Sequence, residues 1–116
     1  GARMGALECA NAIRAVRDKT ARIINLKIMK SGVREAQRIW SVARGGGVSL
    51  MIGGMLESEV AMGTSLQLAA GAGGIEFFDL DTPFFLQERT TKQSPWHAQS
   101  ATLVTPFTLG HGMELL

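Results

Sequence analysis

Lys27, Glu57, Ser58, Asp79 and Asp81 are the residues of this chain whose types and positions could do chemistry. Lys27 ends the apolar run that starts at Ile23, Glu57 and Ser58 follow the run 48–52, and Asp79 and Asp81 close the run that starts at Ile75. A lysine in an apolar strand is costly unless its ammonium reaches water, a partner or a substrate. Carboxylates two residues apart share one face while the chain stays extended, and such a pair suits a cation. Parallel α/β folds collect ligand chemistry at the carboxyl ends of their strands, so one cation and three carboxylates at three successive strand ends form a candidate site.

Each of these residues also fits a purely structural role. Lys27 fits a side chain that snorkels out at the end of a strand. Glu57 fits the positive end of the helix that follows, with Ser58 as its cap. Asp79 and Asp81 fit a turn before Pro83. Spacing alone leaves both readings open.

Other motifs carry less. Gly45-Gly46-Gly47 precedes a strand, the wrong side for a phosphate-cradling turn. Gly53-Gly54 follows one but lacks the spacing of a nucleotide-binding loop. His97 and His111 lie far from each other and from Cys9 in sequence, which reads as surface histidines rather than a zinc site. No nucleophile elbow and no cysteine–histidine pairing is present for covalent catalysis.

The elements that must position the candidate residues follow from periodicity. Residues 6–18 predict a helix, with Leu7, Ala10 and Ile13 toward the core. A strand over 23–28 places Asn25 and Lys27 on one face and Ile24, Leu26 and Ile28 on the other. A second helix over 33–44 carries the stripe Val33, Ala36, Ile39, Trp40 and Ala43, and the glycines at 45–47 stop it. A strand over 48–52, a helix from Ser58 to Gly71 and a strand over 75–79 complete the pattern. Strands that alternate with helices imply a parallel sheet, either doubly wound or part of a (β/α)8 barrel. Residues 87–116 read as an extended tail with one short strand over 101–107, not as a second domain.

The 116 residues suffice for one modest domain, and 46% hydrophobic content supports a globular core. A net charge of +2, with scattered basic residues, does not argue for a nucleic-acid partner. No apolar run reaches membrane-spanning length, and no signal peptide opens the chain. Cys9, the only cysteine, forms no internal disulfide, which fits a reducing cytoplasmic setting.

The segments Asn25-Leu26-Lys27-Ile28-Met29-Lys30-Ser31-Gly32, Met51-Ile52-Gly53-Gly54-Met55-Leu56-Glu57-Ser58 and Asp79-Leu80-Asp81-Thr82-Pro83 occur in a telling order and spacing. Together they resemble the last barrel strands of the enolase superfamily, muconate-lactonizing subgroup, and within it the dipeptide epimerases of the L-Ala-D/L-Glu type. The resemblance is good over residues 6–86 and looser to the end. It implies an α/β fold: a partial (β/α)8 TIM barrel of three βα units with parallel strands (residues 1–86), followed by an extended C-terminal tail (87–116).

The resemblance also implies roles. Lys27 would be one of two acid/base groups on opposite faces of the substrate α-carbon. Asp79 and Asp81 would hold the dipeptide's α-ammonium, with Glu57 and Ser58 lining the pocket. The reaction would be a 1,1-proton transfer through an enolate stabilised by Mg²⁺. Cycloisomerisation and succinylbenzoate synthesis, known in the same subgroup, fit less well because those substrates carry no ammonium for Asp79 and Asp81. Arg3, in Ala2-Arg3-Met4-Gly5, stands where the resemblance would place the third metal ligand. The second lysine and the other two ligands belong to strands this sequence does not contain.

The chain alone is therefore expected to be inactive and to bind no metal. Open sheet edges predict a homo-oligomer or a pairing with a complementing N-terminal half, with a dipeptide bound only in a completed barrel. A non-catalytic, self-associating remnant of the fold, or a piece of another isomerase or lyase of the subgroup, is the alternative.

Overall fold

The computed structural model describes residues 2–98, 102–105 and 109–116. Two short runs rich in isoleucine and leucine set its centre. β1 (Ile23–Leu26) pairs in parallel with β2 (Ser49–Gly53), and β3 (Phe77–Asp79) joins the far side of β2, also in parallel. Ile24 stands opposite Leu50 and Leu26 opposite Ile52, so these four share one face. Leu26, Leu50 and Ile52 are fully buried there, against Ala36, Ile39 and Ala43 of α3 (Val33–Gly45) and Met62, Leu66 and Ala69 of α4 (Glu59–Ala72).

Asn25, Met51 and Phe77 align on the opposite face, where Gly53 is paired with Asp79. In a closed barrel that face points inward and is filled by layers of side chains. Three strands leave it open, and Phe77 is 46% exposed. Among the described residues, no strand pairs with the outer edge of β1 or of β3. None of their helices is long and apolar enough to cross a membrane.

The first helix differs from expectation in start and in face. α1 spans Ala2–Arg17, and Ile13 is 49% exposed whereas Ala12 is buried and Cys9 is half-buried against the core. α1 packs on α3, where Ala36 and Ala43 are wholly buried. Alanines let two helices approach closely, a contact that hydrophobic periodicity scores as filler. Val33, expected in the stripe of α3, is exposed at its first turn.

β3 is shorter than the expected run 75–79, although the Glu76 N–H still donates to the Leu50 carbonyl at 2.9 Å. Of the strand expected over 101–107, residues 102–105 form none, and 101, 106 and 107 lie outside the described residues. Among the described residues, strand pairing in the C-terminal stretch is instead a single antiparallel bridge between Thr91 and Leu115.

One turn depends on glycine. A four-residue helix, α2 (Ile28–Ser31), ends at Gly32, whose φ of 74° and ψ of 164° lie in a region that side chains exclude. A Cβ at Gly32 would meet no atom within 4 Å, so only the backbone resists substitution. Gly32→Ala should cost about 1–3 kcal/mol, read from urea unfolding.

Candidate functional site

β1 ends at Leu26, and Lys27 is still extended (φ −129°, ψ 102°) where it caps α2. Its half-buried side chain does not snorkel free: Nζ donates to the carbonyl of Gly54 at 3.0 Å, just past the end of β2. Asn25, two residues earlier, turns its amide against Gly53, where a Cβ would stand 3.0 Å from Asn25 Oδ1. The strand alternation read from the sequence thus carries through to both polar residues. Lys27 also lines a cleft of about 340 Å³ with Glu8, Asn11, Asn25, Lys30 and Ser31.

After β2, Met55 and Leu56 are exposed before the chain buries Glu57. Glu57 is buried, and its Oε1 accepts the Met55 N–H at 3.0 Å. Its Oε2 has no hydrogen-bond partner among the described residues. Ser58 is exposed and extended, and its Oγ accepts the Ala61 N–H at 3.3 Å, which makes it the N-cap of α4.

Asp79 is exposed and pairs with Gly53 across the β2–β3 ladder. Asp81 takes the turn alternative rather than the extended one. Its backbone is helical (φ −90°, ψ −13°) and opens a 3₁₀ turn over Thr82–Phe85, in which its carbonyl accepts the Phe84 N–H at 2.9 Å. Pro83, with φ already fixed near the helical value, suits the first turn and bends the chain there. The two aspartates therefore do not share one strand face. Asp81 lines a cavity of about 570 Å³ with Leu66, Phe78, Leu80, Phe84 and Leu103, to which neither Lys27 nor Asp79 contributes.

Sequence reasoning missed Glu59. It is 3% exposed at the first turn of α4, and the C-terminal stretch wraps its carboxylate. Oε2 accepts from Thr90 N (3.0 Å) and Oγ1 (3.0 Å) and from Thr91 N (3.1 Å) and Oγ1 (2.8 Å). Oε1 meets Ser94 Oγ at 2.9 Å and His97 Nε2 at 2.6 Å. Burial alone would push this carboxyl up. The bonds from the Thr91 hydroxyl, the Thr90 amide, Ser94 and the Thr90 hydroxyl outweigh it and hold the pKa at about 2.

His97, read from the sequence as a surface histidine, is thus a part-buried partner of Glu59. Trp96 is buried and donates from Nε1 to the Leu80 carbonyl at 2.6 Å. A Cβ at Gly63 would stand 2.8 Å from the His111 carbonyl, so α4 and the chain end approach closely. The usable signal was the density of donors at Thr90, Thr91, Ser94 and His97, which a buried acceptor could satisfy.

Among the described residues, no group of three or more His, Cys, Asp and Glu could hold a metal ion. The described side chains therefore offer no donor set for a carboxylate-bound divalent cation.

The comparisons with known proteins agree with this architecture. An aromatic dipeptide epimerase from Herpetosiphon aurantiacus is 43% identical over 105 residues, covering 90% of this chain and 29% of the relative. A crystal structure of a mandelate racemase/muconate lactonizing protein from the same organism superposes with a TM-score of 0.82 at 39% identity, over 93% of this chain and 30% of that one. A dipeptide epimerase from Cytophaga hutchinsonii, complexed with Mg and the dipeptide D-Ala-L-Val, superposes at 0.84 with 24% identity, over 93% and 30% of the two chains. This chain thus spans under a third of the length of these relatives, and its three parallel strands and their helices match the C-terminal part of an enolase-superfamily TIM barrel. The family model "Enolase C-terminal domain-like" matches residues 4–116, and the chain belongs to that family.

Proposed function

We propose that this chain supplies one acid/base group and the ammonium-binding carboxylates of a dipeptide epimerase, the remaining groups coming from a second segment. The observation that carries the reading is the Lys27 Nζ–Gly54 carbonyl bond, which fixes an amine at the carboxyl ends of β1 and β2. Asp79 lies on the next strand, paired with Gly53. The relationship to an aromatic dipeptide epimerase supplies the substrate class.

In this reading the neutral Lys27 amine takes the α-proton from one face of the dipeptide. The C–H electron pair remains on the substrate, and the protonated Lys27 returns a proton in the opposite direction of reaction. Asp79 and Asp81 hold the α-ammonium by charge-assisted hydrogen bonds, and Ser58 borders the pocket. Asp81 must swing from its 3₁₀ turn to join Asp79 on the substrate. The described residues offer no donor set for Mg²⁺, so no step is assigned to a metal on this chain.

The partner follows from what the sheet leaves open. Phe77, Phe78 and Phe85 are 46, 57 and 69% exposed on or just after β3, whose outer edge no described strand pairs. A complementing N-terminal half would cover them. A non-catalytic homo-oligomer would cover them too, and the same exposure favours that second reading.

Mixing separates the two. With the N-terminal part of a homologous epimerase, Mg²⁺ and a dipeptide in D₂O, the proposal expects α-proton exchange by NMR, and none with either part alone. A stable complex without exchange, or a homo-oligomer that refuses the second part, overturns the enzymatic reading.

A further inference from the structure

Two observations at Lys27 belong to one peptide group. Lys27 Nζ donates to the carbonyl of Gly54, and Glu57 Oε1 accepts the N–H of Met55, each at 3.0 Å. That carbonyl and that N–H are the two ends of the peptide bond joining Gly54 to Met55. No described peptide is cis, this one included, so they point in opposite directions, one toward the cation and one toward the anion.

Glu57 is only 5% exposed and forms no ion pair among the described residues. A buried carboxylate with one hydrogen bond is costly unless something compensates it. A peptide polarised from its far end by an ammonium is such a compensation, because hydrogen bonds in a chain strengthen one another. The peptide is also clamped sterically. A Cβ at Gly54 would run into the Met62 methyl and stand 3.3 Å from Glu57 Oε1, so the carboxylate and Met62 pack directly on this glycine.

We propose that Glu57 is a positioning residue for Lys27, acting through the Gly54–Met55 peptide rather than by touching substrate. The carboxylate fixes the rotation of that peptide, the carbonyl then faces β1, and the carbonyl aims the ammonium. The role rests on the reading of Lys27 as the acid/base group. It deepens that reading by giving Glu57 a task other than lining the pocket.

Acylation of the lysine amines in the full chain, quantified by peptide mass spectrometry, tests this without turnover. Lys27 is half-buried with its Nζ held on the Gly54 carbonyl, so it should react more slowly than the exposed Lys19. Glu57→Ala should raise the Lys27 rate roughly tenfold, the scale of one charge-assisted hydrogen bond, and leave Lys19, Lys30 and Lys92 unchanged. Glu57→Gln keeps an acceptor for Met55 and should restore most of the protection.

An unmoved Lys27 in a folded Glu57→Ala chain, or an equal rise at all four lysines, overturns the proposal. If Glu57→Ala loses its circular dichroism, Lys27→Met reads the same relay from the other end. The Met55 amide proton must then shift upfield more than those of Leu56 and Ser58, and an unmoved Met55 amide overturns it. Failure here leaves the epimerase reading standing, whereas failure of the mixing experiment leaves the placement of Lys27 intact.

Discussion

Lys27→Ala in the completed enzyme should lower kcat by about 10²–10⁴-fold, the range that one positioned acid/base group contributes. KM should change far less, because the contact that holds Lys27 is the Gly54 carbonyl and not the substrate. Proton exchange should be lost from one stereoisomer of the dipeptide only, the other still being served by the group on the opposite face. Lys27→Arg should not rescue, since a guanidinium stays protonated and cannot accept the α-proton. Lys27→Met keeps most of the apolar stem, so its activity loss should match that of alanine while its stability stays closer to wild type. Solvent exchange at the α-carbon followed by NMR, beginning from each stereoisomer separately, reads all three outcomes. An undiminished rate in Lys27→Ala removes the lysine from the chemistry.

What could be read from the sequence divides by the range of the interactions. The strands around Leu26 and Ile52 and the Ser58 cap rest on local patterns, period two in a strand and a serine before a helix. So does the placement of Lys27 at a strand end. The Asp81 turn is nearly as local: Pro83 two residues later marks it, and at Asp81 the chain takes the turn rather than the extended alternative. The face of α1 is harder, because the burial of Ala12 depends on how α1 packs on another helix, α3. Glu59 is harder still. Its partners lie 31–38 residues along the chain, in a stretch with no periodicity to mark it as packed. A glutamate just after a capping serine looks like a dipole-favoured surface residue. Only the donors of the C-terminal stretch convert it into an anchor.

That anchor makes the second large prediction. Glu59→Ala should destabilise the chain by about 3–5 kcal/mol, the cost of breaking a buried, multiply bonded charge. Domains of this size have roughly 5–15 kcal/mol in total, so the variant sits near its unfolding limit. Glu59→Gln should cost less. Its amide oxygen can take the place of Oε2 under the four Thr90 and Thr91 donors, and its NH₂ can face Ser94 and His97, each of which offers an acceptor. Trypsin should cut faster at Arg89 and Lys92 in the alanine variant, since the pinned segment lies between and beyond them. The pH dependence has a fixed sign. The native pKa of about 2 lies below the ordinary value of 4.5, so the contribution of Glu59 is complete above about pH 4.5 and fades as pH falls toward 2. A depression of that size is worth about 3 kcal/mol. The gap in urea stability between wild type and Glu59→Ala should therefore be widest at about pH 6 and shrink steadily below about pH 4.5. A gap independent of pH would mean that Glu59 holds the C-terminal stretch by packing, and that its charge contributes nothing.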